Sequence, residues 1–276
     1  MSIHLTYVLY INLVCMGAVT SHPAPSVAND PIPVSATILS PKGINSLSLG
    51  EWSRHKELIL AKRDSLSYAI LDRAKCKSDK AQQDLAVLQA RFDKLEKVIA
   101  QIGILENSDV EYVLKGTSND VGSTSWDVHK KCIILSVGST ANFIHELMHG
   151  WQYETGEIMF DARFNKCYLQ DLEDEVEAYR AQYAFDPGSV TNLPAASTLR
   201  SMRGITPVWV SGLTNKDGEK TYAEHGRVRV NVNSSKAMLM LAYPQLQQQF
   251  ITWQETWTMK NVPDMIYKQH PVADFD

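Results

Sequence analysis

His145-Glu146-Leu147-Met148-His149 sits inside the run Thr140-Ala141-Asn142-Phe143-Ile144-His145-Glu146-Leu147-Met148-His149-Gly150-Trp151-Gln152. On a helix, residues four apart project from one face, one turn from each other. Two imidazoles so placed can grip one metal ion, and a Glu beside them can reach a water on that ion. In a chain of 276 residues with 8 His, chance gives H-E-x-x-H about 0.01 times, so the pattern is specific. From Asn142 to Trp151 only the motif's own His and Glu can carry charge. At about 100° per residue, Phe143, Ile144, Leu147, Met148 and Trp151 cluster on one side, with His145 and His149 opposite. The run predicts a helix that docks an apolar stripe on a core and turns both imidazoles to a cleft. The competing reading is a helix with two surface His and a solvated Glu.

A catalytic zinc site takes three protein ligands and leaves one position for water. The extension HExxHxxGxxH is absent, since Gln152 and Thr155 stand where its Gly and His would be. The third ligand is expected from Leu169-Gln170-Asp171-Leu172-Glu173-Asp174-Glu175-Val176-Glu177-Ala178-Tyr179-Arg180-Ala181-Gln182-Tyr183. Leu172, Val176, Tyr179 and Tyr183 mark the apolar stripe of a helix there. Relative to that stripe, Glu175 lies roughly 70° away, Glu173 about 90° and Glu177 about 130°. Glu175 is the expected ligand, and Glu173 or Glu177 are the alternatives. An acidic cluster at a helix N-terminus is also what the macrodipole favours with no ligand role at all.

HELMH, followed 26 residues after His149 by Glu175-Val176-Glu177-Ala178, resembles the gluzincin type of zinc metallopeptidase. The likeness covers roughly residues 125 to 185. It implies a Zn2+ site of His145, His149 and Glu175, with Glu146 as catalytic base. It also implies an α+β, zincin-like core in which the active-site helix lies beside a small sheet. One strand of that sheet would wall the cleft, where an extended substrate could pair with its free edge. Tyr179 departs from the pattern. Many relatives carry an Asp there that orients a metal-bound His, so this chain needs another partner for the ring.

Working outward, Thr124–Val128 and Cys132–Val137 read as strands around a polar turn at His129-Lys130-Lys131. Gly138-Ser139-Thr140 supplies a break and an N-cap. Helices are expected near Trp52–Ala74 and Ser78–Ile102. In the second, Leu85, Leu88, Phe92, Leu95, Ile99 and Ile102 alternate by three and four, which suits an antiparallel helical hairpin or an ordinary amphipathic helix on the core. Thr206–Val210 and Val228–Val232 read as strands, with a turn at Asn215-Lys216-Asp217-Gly218. Ser234 or Ser235 would cap a helix through Tyr243, and Pro244 would start another through Trp253. His225 and Tyr222 are candidate donors to a transition-state oxyanion, against the plainer reading of exposed turn residues.

The expected organisation is a signal peptide over residues 1–21, a Pro-rich linker over 22–45 and a helical hairpin over 46–108. A zincin-like metal-binding core follows over 109–190, then a C-terminal α/β subdomain over 191–276. Leu5–Val19 has the length of a signal-peptide core and is too short for a confident membrane span. No stable span is expected after processing, which places the protein outside the cytoplasm, secreted or periplasmic. A faint lipoprotein-like box at Asn12-Leu13-Val14-Cys15 leaves a lipid anchor through Cys15 as the alternative. Net charge is −4 without a long basic run, which excludes nucleic acid as an expected partner. Cys76, Cys132 and Cys167 offer no C-x-x-C pair and no full disulfide framework.

The expected function is hydrolysis of peptide bonds in a peptide or protein substrate. Two other classes share the ligand set: a zinc-dependent non-peptide amidase and a catalytically inactive, zinc-stabilised binding or surface protein.

Overall fold

Two long helices lead toward the motif. The structure is a computed structural model and describes residues 41–118, 122–161, 166–191, 193, 199 and 201–252. The expectations for the N-terminal apolar segment, Cys15, most of the Pro-rich stretch and Trp253 lie outside those residues.

Helix α1 spans Leu49–Arg73 and α2 spans Asp79–Glu106. Ser78 caps α2 by accepting the Ala81 N–H, one of the donors a first turn leaves free. The ion pairs Lys56–Glu106, Arg63–Glu96 and Arg73–Asp84 set an antiparallel register. Pairs at or near the surface contribute about 0–1 kcal/mol each, so burial of apolar side chains holds the hairpin. Leu95 and Ile102 of the expected seam are fully buried, while Leu88, Phe92 and Ile99 pack half-buried on the same core. That core is not private to the hairpin. It joins Trp52, Ile59 and Leu66 of α1 and Leu105 of α2 to the sheet and the motif helix.

Strands β1 (Glu111–Gly116), β2 (Ser123–Asp127) and β3 (Cys132–Val137) form a sheet in the order β1-β3-β2. β1 runs parallel to β3 and β2 antiparallel, so β2 is an edge strand. Side chains alternate across a sheet, and paired residues share a face. Ile133 and Leu135 are buried, and Trp126 and Thr124 sit opposite them on that inner face. Asp127 closes the β2–β3 turn by accepting the His129 and Lys130 N–H groups, with Lys131 at φ 55°. β1 was not expected from the sequence; its inward Tyr112 and Leu114 are too few to mark a period.

Helix α3 spans Thr140–Glu154, and a small ribbon of β4 (Met159–Asp161) and β5 (Lys166–Tyr168) follows. Then come α4 (Leu172–Phe185), α5 (Pro187–Thr191), α6 (Pro207–Gly212), α7 (Lys236–Ala242) and α8 (Gln247–Thr252). The fold is α+β. No described helix is long and apolar enough to cross a membrane.

Two expected strands are corrected. Thr206–Val210 starts α6: Thr206 accepts the Trp209 N–H and Pro207 occupies the first helical position, where its missing N–H costs nothing. Capping chemistry outweighs the β-branched content. Val228–Val232 forms a strap with no strand partner. Val230 N–H donates to the Asp171 carboxylate and Val232 N–H to the Gly156 carbonyl, so its ladder donors go to helix ends. Among the described residues after 190 there are helices and isolated bridges but no strand, where an α/β subdomain was expected.

Candidate metal centre

Ser139 caps α3 by accepting the Asn142 N–H. Phe143, Ile144, Leu147 and Met148 drive the helix into the core and are fully buried. The histidine face is buried too. His145 and His149 are 7% and 5% exposed, because α4 lies across them. The expected open cleft is a covered interface.

α4 opens with a reciprocal capping box. Asp171 accepts the Glu173 and Asp174 N–H groups, and the Asp174 carboxylate accepts the Asp171 N–H. This fixes the first turn and the direction of the three glutamates. Glu175 points inward and is 3% exposed. Glu173 and Glu177 are half-buried, and Glu177 pairs with Arg229. The Glu175 carboxylate lies 3.3 Å from His145 Nε2 and 3.6 Å from His149 Nε2. Ligands about 2.0–2.2 Å from a tetrahedral ion stand roughly 3.3 Å apart. Among the described residues these three form the group able to hold a metal ion.

The far nitrogens of both rings are occupied. His145 Nδ1 lies 3.0 Å from Gln182 Oε1, and His149 Nδ1 lies 2.8 Å from Gln152 Oε1. An amide oxygen only accepts, so each Nδ1 carries the proton and each Nε2 lone pair faces Glu175. Gln182 is held in turn by Ser189 Oγ, and Gln152 donates to the Asp174 carbonyl. Gln182 thus supplies the partner that the His145 ring needs. Tyr179 instead packs its ring on His145, centroids 4.5 Å apart at 72°.

Glu146 turns to the β2 side. Its carboxylate accepts from Thr124 Oγ1 at 2.7 Å, and the same hydroxyl reaches its carbonyl at 3.1 Å. Gly122 makes room, since a Cβ there would stand 2.3 Å from Glu146 Oε1. His225 and Tyr222 also reach the site. His225 Nε2 is 3.3 Å from Glu175 Oε1, and the Tyr222 and Tyr179 hydroxyls meet at 2.7 Å.

The electrostatics follow from burial and these neighbours. Burial works to raise the Glu175 carboxyl, but His149, His145 and His225 together hold it well below the usual range. Burial works to lower His145, and Glu175, Glu146 and Gln182 together raise it. Burial, then the charge of Glu175, pushes the Tyr222 hydroxyl far up, so it stays an O–H donor. Glu175 Oε2 and His225 Nε2 are buried without hydrogen-bond partners among the described residues. An unpaired carboxylate oxygen beside two imidazole lone pairs is unfavourable alone and suits a divalent cation. The residues fit a bound metal.

Comparison with protein-family models, curated proteins and solved structures found no match to this chain.

Sequence reasoning missed Gln152, Gln182, Thr124 and Gly122. The two glutamines had a signal, three residues after His149 and seven after Glu175, each on its ligand's helical face. Thr124 and Gly122 had none, because their role comes from the sheet's position beside α3.

Proposed function

We propose that the chain is a zinc-dependent metallopeptidase of gluzincin type that hydrolyses peptide bonds. The observation that carries this reading is a buried His145–His149–Glu175 set with Nε2 atoms turned inward, beside a separately anchored Glu146. Bound zinc would supply Lewis acidity and lower the pKa of the attacking water toward about 7. His145, His149 and Glu175 would hold the ion. Glu146 accepts the water's proton and passes it to the leaving amine. Thr124 holds that carboxylate off the ligand set. His225 and Tyr222 donate to the developing oxyanion. As the last strand of its sheet, β2 offers backbone groups to an extended substrate. Export, read from Leu5–Val19, belongs to the same proposal.

The burial of the ligand set also suits a zinc-stabilised binding protein. Glu146 separates the two readings, because a structural site has no use for a carboxylate anchored beside it. The test combines metal content with cleavage of a mixed peptide library. Wild type should carry one zinc and cleave, and Glu146→Gln should keep zinc and fold while turnover falls about 10²–10⁴-fold. Zinc binding without any peptide cleavage by wild type would overturn the peptidase reading.

A further inference from the structure

We infer that Asp171 is a positioning residue. Its carboxylate locks the Val228–Val232 strap, which follows directly on the segment bearing Tyr222 and His225, onto the helix that carries Glu175. This rests on the proposed peptidase reading and assigns the placement of its oxyanion donors.

Asp171 is fully buried, and its two oxygens serve two elements. Oδ1 accepts the Glu173 and Asp174 N–H groups at 2.8 and 3.2 Å and caps α4. Oδ2 accepts the Val230 N–H at 2.7 Å, across 59 residues of chain. A helix cap needs only the first. The second oxygen serves Val230, which lies outside α4.

The strap is doubled onto the same spot. Gly226 N–H donates to the Gln170 carbonyl, and the Gly226 carbonyl accepts the Leu172 N–H, forming a bridge to Asp171. A Cβ at Gly226 would lie 3.0 Å from Asp171 Cβ and 3.2 Å from the Tyr243 ring, so a side chain there would have to push its neighbours back by a few tenths of an ångström. Farther on, Arg229 pairs with Glu157 and Glu177, and Val232 N–H donates to the Gly156 carbonyl. The strap therefore touches α4 and the segment that directly follows α3. His225 is one residue before the Gly226 bridge, and its Nε2 sits 3.3 Å from Glu175 Oε1. The same cap sets where Glu175 leaves the first turn of α4. One carboxylate thus references both the metal-binding carboxylate and the histidine beside it.

Asp171→Ser separates the two jobs. Serine caps a helix well but has a single short oxygen that cannot also reach Val230. The variant should bind zinc with wild-type stoichiometry and nearly unchanged affinity. Hydrogen exchange of the Gly226–Val230 amides should rise at least tenfold, with or without zinc. Turnover should fall about 10- to 100-fold with KM within about threefold, as expected for an interaction made in the transition state. A double variant with His225→Ala should lose clearly less than the product of the two single losses, because both changes act on the same placement of donors. Gly226→Ala, which presses the strap away from Asp171, should give the same pattern if Asp171→Ser folds poorly. Unchanged exchange, wild-type turnover or an additive double variant would overturn the inference. The exchange arm needs no catalysis, so it still decides the strap's anchoring if wild type cleaves no peptide. In that case the peptidase reading fails and the anchoring result stands apart.

Discussion

Neutral amide oxygens accept the Nδ1 protons of both histidines of the candidate metal centre. Gln182 and Gln152 fix ring orientation and tautomer without adding negative charge behind the ring. Gln182→Leu keeps the bulk and leaves a buried Nδ1–H without an acceptor. Zinc affinity should fall about 10–100-fold, read by competition with a chromophoric chelator. Unchanged affinity would mean that packing against Tyr179 alone holds the ring. At this scale the sequence displayed the residue types of the candidate centre clearly. Two His and a Glu on paired helices follow from spacing. The amides were hidden because Gln on a helix is ordinary, and only its neighbour across the interface gives it work.

Elements meet the motif helix through side chains as specific as those of the candidate centre. His55 of α1 reaches the first turn of α3: its Nδ1 lies 2.9 Å from Thr140 Oγ1, and its ring stacks on Phe143 with centroids 4.7 Å apart. Burial, with the Arg54 guanidinium beside it, lowers His55 from 6.5 to about 4, against partial opposition from Glu51. The unfolded chain therefore binds this proton first on acidification. The contribution of neutral His55 is whole above about pH 6.5 and is lost progressively toward pH 4, to a limit of about 3 kcal/mol. Denaturant titrations of wild type and His55→Gln should diverge in pH slope across that window, with the variant flatter. Parallel slopes would show that His55 protonates without cost. Element ends were legible wherever a cap is local, as with Ser78, Ser139 and Ser235. Thr206-Pro207 was an equally local cap, overridden in the sequence reading by three hydrophobic residues that suit a strand.

One core links hairpin, sheet, motif helix and α4, so the ligand set stands on the same apolar mass as α1 and α2. Leu95 is fully buried in that mass, at a distance in sequence from the motif. Leu95→Ala should cost about 2–5 kcal/mol and unfold hairpin and centre together. Tryptophan fluorescence, for which Trp52 packs edge-on to Phe143 at 5.1 Å, and zinc release should trace one transition. Two separated transitions would make the hairpin an independent unit. Zinc in excess should raise the midpoint, since binding to the folded state adds stability by mass action.

The hairpin helices, the β2–β3 turn, the motif helix and the acidic run that holds Glu175 were legible in the sequence alone. These are set by period, capping and turn chemistry within a few residues, and such forces act before any tertiary contact forms. Only the tertiary structure decided that the histidine face is covered rather than open. It alone brought Thr124 to Glu146 across 22 residues and Val230 to Asp171 across 59. It also turned Val228–Val232 from an expected strand into a strap. The physical reason is the same in each case. A backbone or side-chain group must find a partner once buried, and which partner arrives depends on how distant elements pack, a choice that no local pattern encodes.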